Sequence, residues 1–271
     1  MQIIEWPQFL ENALPLGENH SAITVGVFDG VHRGHKALIE QVVAHKDHAV
    51  PVVVTFRQSH HKKAQGREYS GSILSFRQKM AAFARLGISI TVVIEFSESF
   101  RHTGGTDFLR ILHEQGKMSF LAVGSNFRCG CRLDTDAHAI QNFCSRQNIS
   151  AAIVPVLAEG CLQISSSRIR AAIKCGDLKS AEAMLDWPFT LDLAGASVSP
   201  AGRAVSDGIA YDISSLGRIL PPPGRYAVQL LGEKDGQSVK TPAQILVKGE
   251  SIIVDGDLAD TPLEYVEFSP A

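Results

Sequence analysis

No stretch of this chain approaches the ~20 consecutive apolar residues that a membrane-crossing helix needs, so no transmembrane anchor is expected. The opening Met1-Gln2-Ile3-Ile4-Glu5-Trp6-Pro7 lacks a basic start followed by an apolar segment, so no signal peptide is expected either. Charge of one sign is not in excess: 26 Lys and Arg against 28 Asp and Glu give a formal net charge of −2. The pair Lys62-Lys63 is too short to form a basic patch. Binding to nucleic acid through its phosphates is therefore not expected. Cysteine is scarce as well. Cys129, Cys131, Cys144, Cys161 and Cys175 are odd in number and scattered, which fits reduced thiols in a cytoplasmic protein. Cys129-x-Cys131 has the spacing of half a zinc site, but no second pair follows. Internal repeats and low-complexity tracts are also missing.

What is present is an ordinary globular composition, 45% hydrophobic and 20% charged over 271 residues, enough for one large domain or two modest ones. The first part alternates short β-branched runs with stretches of helical periodicity. Strands are expected at Ala22–Phe28, Val52–Phe56, Ile88–Phe96, Phe120–Val123 and Ile149–Val156. Helices are expected over Lys36–His45, from Ser75 to the stop at Gly87, from a cap at Thr106 to Gly116, and over Asp136–Arg146. Continuous apolar strands between helices imply an α/β fold with a parallel sheet covered on both faces. Two more helices, Ser166–Lys174 and Leu178–Leu185, flank Gly176. Beyond about Phe189 the periodicity changes to short segments, Tyr226–Leu231, Ala243–Val247 and Ser251–Val254, split by Pro, Gly and Asp. These predict a small antiparallel β-barrel or sandwich. The expected boundary lies near Asp186–Pro188, giving domains of residues 1–187 and 188–271. Arg57 to Ser72 is polar and aperiodic and is expected to be a loop beyond a strand's carboxyl end, a candidate lid.

The chemistry concentrates in Gly26-Val27-Phe28-Asp29-Gly30-Val31-His32-Arg33-Gly34-His35, where the first strand gives way to the first helix. Ligands of open parallel sheets bind at such strand ends, and a helix N-terminus offers N–H groups and partial positive charge to an anion. Gly30 and Gly34 let backbone approach a phosphate. His32 and His35, three residues apart, can point to one side of the first helical turn. Two imidazole donors there could hold phosphate oxygens as charge moves onto a leaving pyrophosphate, in a reaction that needs positioning and electrostatic stabilisation more than a covalent nucleophile. The alternatives are two solvated loop histidines, or a metal site for which no third ligand recurs nearby. Ser165, Ser166 and Ser167 precede a helix, where one can cap and the others face a phosphate. Arg168 and Arg170 leave that helix on different sides. Asn126 occupies a glycine-flanked loop. Asp29 could support the histidine loop or hold magnesium through water. Exposed loop residues are the expectation for His60 and His61. Core packing is the expectation for Phe76, Met80 and Phe83.

His-x-Gly-His in this setting resembles the adenylyltransferase superfamily of nucleotidyltransferases. The longer Gly-x-Phe-Asp-Gly-x-His-x-Gly-His resembles the flavin adenylyltransferase module of bacterial bifunctional riboflavin kinase/FAD synthetases. Val52-Val53-Val54-Thr55-Phe56, Gly124-Ser125-Asn126-Phe127-Arg128-Cys129-Gly130 and Ile164-Ser165-Ser166-Ser167-Arg168-Ile169-Arg170 are similar to three further stretches of that module, in the same order. The resemblance covers about residues 15–188. It implies a Rossmann-like domain that joins the adenylyl group of ATP to FMN, with magnesium accompanying ATP. It implies ATP binding by Gly26, Phe28, His32, Gly34, His35, Ser165, Ser166, Ser167 and Arg170, of which His32, His35 and Arg170 serve catalysis. Asp29, Asn126, Phe127 and Arg128 are implied on the flavin or nucleotide phosphate side. No nucleic acid or membrane partner is implied. Two departures touch the flavin side: Cys129 replaces an aromatic residue, and Arg57-Gln58-Ser59-His60 replaces the usual Glu-Pro-His-Pro.

The C-terminal part resembles the riboflavin kinase domain only weakly. Gly202-Arg203 matches the opening of that family's Gly-Arg-x-Leu-Gly-Phe-Pro-Thr-Ala-Asn motif, and Pro223-Gly224-Arg225-Tyr226-Ala227-Val228 resembles its Pro-x-Gly-Val-Tyr-Ala-Val strand. Read without a gap, Ser206-Asp207-Gly208-Ile209-Ala210-Tyr211 fills the place of Gly-Phe-Pro-Thr-Ala-Asn. Ile209 and Tyr211 then stand where Thr and Asn serve the magnesium-nucleotide. Ile209 has no oxygen to offer. Little chain follows Glu264-Tyr265-Val266-Glu267-Phe268 to complete such a site. The expectation is a degenerate kinase-like β domain without kinase activity.

Overall fold

The computed structural model describes residues 1–57, 71–198, 208–234, 237–255 and 263–269. In chain order the first half runs β1 (Gln2–Glu5), α1 (Trp6–Asn12), β2 (His20–Val25), α2 (Arg33–Val43), β3 (Ala49–Phe56), α3 (Phe76–Arg85), β4 (Ile90–Ile94), α4 (Glu98–Arg101), α5 (Gly105–Gly116) and β5 (Met118–Gly124). It continues with β6 (Arg128–Cys129), β7 (Thr135–Asp136), α6 (Ala137–Arg146), β8 (Ser150–Val154), β9 (Ala158–Glu159) and β10 (Leu162–Gln163). Then follow α7 (Ser166–Lys174), α8 (Leu178–Leu185), β11 (Thr190–Asp192), β12 (Ser197–Val198), β13 (Gly208–Asp212), β14 (Gly224–Lys234), β15 (Gln237–Lys248), β16 (Ser251–Asp255) and β17 (Tyr265–Phe268).

Six strands form a wholly parallel sheet in the order β1-β4-β3-β2-β5-β8. All five residues of β4 are buried, and Val52, Val53 and Val54 of β3 are fully so, as strands covered on both faces require. The sheet runs one way from β2 through β3 to β4 and the other way through β5 to β8. The switch point, where a ligand crevice forms outside the strand ends, therefore lies at the end of β2. Trp6 and Phe9 of α1 pack into the core, with Trp6 ring centroids 5.7 Å from Phe100 and 5.8 Å from Phe108.

The chain divides into two compact units, Met1–Gln58 with Lys79–Gln163, and Ser59–Gln78 with Ile164–Ala271. The sequence pattern draws its boundary near Asp186–Pro188; packing groups α7 and α8 with the later strands. That second unit holds an antiparallel sheet in the order β11-β17-β14-β15-β16-β13-β12. Within it, Arg77 clasps the buried carboxylate of Asp192 through two bonds of 2.7 and 2.6 Å and reaches Glu264 at 2.9 Å. Its guanidinium lies 4.3 Å from the Tyr265 ring centroid. These contacts hold the Asp192 carboxyl below its usual pKa.

Several element limits differ from the sequence pattern. Helices α7 and α8 match it residue for residue, and Ser165 caps α7 by accepting from the Arg168 N–H at 3.2 Å. Strand β2 ends at Val25, three residues short of Phe28, because Phe28 turns to φ +53°. Helix α5 is capped by Gly104, not by Thr106; Thr106 lies inside the helix. The β1–α1 unit is not apparent from composition. β1 has only four residues, and α1 carries proline in its first turn, where the missing N–H does no harm.

Candidate active site

The loop from β2 to α2 is built around two buried side chains in unusual backbone positions. Phe28 and Val31 adopt φ of +53° and +38°, a region that costs energy for bulky and especially β-branched residues. Both are completely buried, and that burial offsets the strain. The Phe28 ring lies edge-on to Phe83 at 5.5 Å and to His35 at 5.0 Å. A Cβ on Gly26 would sit 3.1 Å from this ring, so glycine is needed there for space. Gly30 supplies a further positive φ of +85°. The chain thus folds back under its own histidines instead of extending β2.

His32 then stands at the N-cap of α2, its carbonyl accepting from the His35 and Lys36 N–H groups at 2.8 and 2.9 Å. Its side chain does not cap the helix; it stacks on His35, with centroids 3.6 Å apart and planes 16° from parallel. Gly34 makes room for this stack, since a Cβ there would lie 3.3 Å from the His32 ring atoms Cε1 and Nδ1. The sequence pattern assigns Gly34 to phosphate approach; the geometry adds this second duty.

Burial lowers the His32 pKa to about 4, partly offset by its own backbone. His35 is held well below 6.5 by burial first, then by His32 and by the charge of Lys79. Both rings are therefore neutral at physiological pH, each with one N–H donor and one acceptor nitrogen. Neutrality permits the stack, because two imidazolium rings at this separation would repel strongly. The Nδ1 atoms of both are shielded from solvent and meet no well-aligned partner among the described residues.

Asp29, within this loop, is buried and attracts the ammonium of Lys79. Lys79 itself is absent from the pattern-based set of site residues. It is 5% exposed and donates to Val27 O at 3.2 Å, Thr55 Oγ1 at 3.2 Å and Phe56 O at 2.9 Å. The signal for it is a lone cation on the apolar stripe of α3, beside Met80 and Phe83. A second unanticipated contact is the ion pair between Arg33, inside His-x-Gly-His, and Glu159 of β9.

The Asn126–Phe127–Arg128 segment follows β5, the strand beside β2 and parallel to it, so both segments lie at the carboxyl ends of neighbouring strands. Asn126 and Arg128 are exposed, and Phe127 packs on the core with its N–H bonded to Gly124 O at 2.9 Å. Arg128 lies 3.8 Å from Asp136. Cys129 is half-buried, and burial pushes its thiol up to about 12. Among the described residues no three His, Cys, Asp or Glu gather as a metal cage.

Thus Gly26, Phe28, Asp29, His32, Gly34 and His35 come together in one loop, with Asn126, Phe127 and Arg128 on the neighbouring strand end. Ser165, Ser166, Ser167 and Arg170 belong to α7 in the other compact unit. There Ser165 caps, Ile169 and Ile173 are fully buried, and Arg168 and Arg170 are both half-buried on either side of Ile169. Arg57 bonds Glu5 at 2.5 Å and approaches Glu95 at 3.5 Å. Residues 58–70 of the candidate lid, with His60 and His61, lie outside the described residues, as do Gly202, Arg203, Ser206 and Asp207; at the lid's end Ser72 is buried, its N–H bonded to Gly217 O at 2.9 Å and its hydroxyl accepting from Arg218 at 2.7 Å. No described helix is long and apolar enough to cross a membrane.

A family model described as FAD synthetase matches residues 15–168. The bifunctional riboflavin kinase/FMN adenylyltransferase of Escherichia coli K12 is 27% identical over 213 residues, 78% of this chain and 68% of that protein. The FAD synthetase of Listeria monocytogenes is 27% identical over 171 residues, 62% of this chain and 70% of that one. A crystal structure described as a macrolide-efflux protein from Streptococcus pneumoniae superposes with a TM-score of 0.79 at 21% identity. The match covers 99% of this chain and 90% of that one, a likeness of fold.

Proposed function

Because the chain belongs to the FAD synthetase family, we propose that the β2–α2 loop is where the adenylyl group of ATP passes to FMN. A phosphate oxygen of FMN attacks the α-phosphorus of ATP. The new O–P bond forms as the bond from the α-phosphorus to the bridging oxygen breaks, and pyrophosphate leaves with the electron pair. The observation that carries this reading is the neutral, stacked His32–His35 pair at the N-terminus of α2, at the sheet's switch point. Neutral imidazoles donate to phosphate oxygens without adding charge to the free site, and their value grows as negative charge develops on the leaving group. Gly34 and Phe28 fix the two rings, and Gly26 makes room for Phe28. Ser166, Ser167 and Arg170 hold the distal phosphates, Arg170 as a permanently charged fork. Ser165 fixes the helix that carries them. Asn126, Phe127 and Arg128 serve the flavin phosphate side, and buried Asp29 supports the loop. Magnesium enters on ATP and neutralises phosphate charge. A cytoplasmic location belongs to the same proposal, on the reduced state expected of the scattered cysteines.

We also infer that the C-terminal sheet does not phosphorylate riboflavin. Ile209 and Tyr211 lie in β13, where the kinase motif requires small oxygen ligands, and neither can supply one equivalent to Thr or Asn.

One experiment tests both readings: products are separated by chromatography after incubation with ATP, magnesium and either FMN or riboflavin. FAD and pyrophosphate are expected from FMN, and no FMN from riboflavin. Flavin binding without pyrophosphate release would point to a sensor, and turnover of another phosphorylated acceptor to a different nucleotidyltransferase. FMN made from riboflavin by highly purified protein would overturn the second inference.

A further inference from the structure

The cation under the histidine loop is in an expensive place. A lysine almost wholly removed from water costs folding energy unless each of its three N–H donors is satisfied. Lys79 satisfies them with Val27 O, Thr55 Oγ1 and Phe56 O. These acceptors are not scattered. Val27 lies just beyond β2, immediately before Phe28, the first residue to turn into the left-handed region. Thr55 and Phe56 are the last two residues of β3. Thr55 also donates to Val27 O at 3.2 Å, so one ammonium and one hydroxyl stitch two strand ends together. From the same helix, Phe83 supports the Phe28 ring, and that ring supports His35. Helix α3 therefore braces the histidine loop twice, through charge at Val27 and through an aromatic contact at Phe28.

We propose that Lys79 is a positioning residue for nucleotidyl transfer: its ammonium locks the carboxyl ends of β2 and β3 and thereby sets where the His32–His35 pair stands. It touches neither substrate, and the proposal rests on the reaction assigned above. Burial pulls the Lys79 pKa down to about 8, opposed by the carboxylate of Asp29 in the loop and assisted by the charge of Arg57 beyond β3. His35 feels His32 and Lys79. The charge on Lys79 disfavours protonation of His35, so it also helps keep that ring neutral. Removing the charge should therefore raise the His35 titration midpoint, a change that a merely space-filling lysine would not produce.

The test uses the full chain. Wild-type protein is first assayed for FAD from FMN and ATP; failure there sinks the assigned reaction and not the role of Lys79. If wild type is active, Lys79→Met should lower kcat about 100-fold, the penalty for ångström-scale misplacement of reacting groups. The KM values for ATP and FMN should move less than about threefold on the same argument, since neither substrate touches this residue. Histidine NMR should show the His35 midpoint moved upward. Thr55→Val, a milder change that keeps the lysine, should lower kcat several-fold, and it decides the matter if Lys79→Met does not fold. A folded Lys79→Met protein with wild-type kcat and an unmoved His35 midpoint would overturn the proposal, as would a wild-type kcat in Thr55→Val when Lys79→Met is unfolded.

Discussion

Replacing Gly34 with alanine adds one methyl group to the second residue of α2. Inside a helix this exchange ordinarily stabilises by about 0.5–1 kcal/mol, because glycine loses more backbone freedom on folding. Gly34 has no left-handed backbone angle to oppose the change. The methyl would meet His32 Cε1 and Nδ1 at 3.3 Å, inside the ~3.5–4.0 Å at which carbon atoms rest. The ring must give way by a few tenths of an ångström, and stacking on His35 at 3.6 Å closes its easiest direction. His32 then rotates out of the stack or pushes His35 against Phe28. The gain in helix propensity and the loss of ring packing are of similar size, so the melting temperature should change by no more than about 4 °C, the shift for ~1 kcal/mol in a domain of this size. The chemistry should not escape so lightly: kcat should fall at least about tenfold and as much as about 100-fold, since donors must sit within hydrogen-bond reach of the developing charge. Calorimetry and steady-state release of pyrophosphate would be measured on the same preparation. A stable Gly34→Ala protein with undiminished kcat would refute the claim that this glycine holds the histidine pair in register.

His32→Ala and His35→Ala should each reduce kcat by about 10²–10³-fold, the usual loss for one transition-state donor, with little change in FMN affinity by fluorescence quenching; full turnover in either would remove that ring from the chemistry. Wild type should lose stability as pH falls. With the folded pKa of His32 near 4 against 6.5 unfolded, its contribution is intact above about pH 6.5 and drains away toward pH 4, in all about 3 kcal/mol. Urea titrations of wild type and His32→Gln across that window check this; equally steep profiles would refute it. Arg170→Ala should weaken ATP use far more than Arg168→Ala, because one arginine of the pair is assigned to the phosphates. Equal losses in kcat/KM for ATP would reassign the helix face.

Much of the architecture is legible because its causes are local. Val52–Val54 read as a buried strand from composition alone, and Ser165 announces a helix start that the structure places at the next residue. The His-x-Gly-His loop is equally readable, since its residues are neighbours in sequence. Other features depend on distant partners. Four residues, Gln2–Glu5, of which only Ile4 is buried, become a strand by pairing with Ile90–Val93. Lys79 looks like a surface lysine until the ends of β2 and β3 arrive around it. The histidine stack follows from Phe28 adopting a left-handed turn, which no propensity of phenylalanine foretells. Gly104 displaces Thr106 as the α5 cap because Gly105 packs against Thr135 and Asp134, leaving no room for a side chain there.

The pairing of β1 with β4 has a consequence for the order of assembly on the ribosome. Strands β2 and β3 can pair as soon as the first fifty or so residues have emerged, since His20 meets Ala49. Gln2 must wait for Ile90, a closure across a far longer loop with a correspondingly larger entropic cost. Until it closes, β4 is an uncovered edge whose sequence, Ile-Thr-Val-Val-Ile, is entirely apolar or β-branched and free to pair with another chain. Pairing of Gln2–Glu5 covers that edge, and a substitution that weakens this pairing should cost yield of soluble protein before it costs any activity.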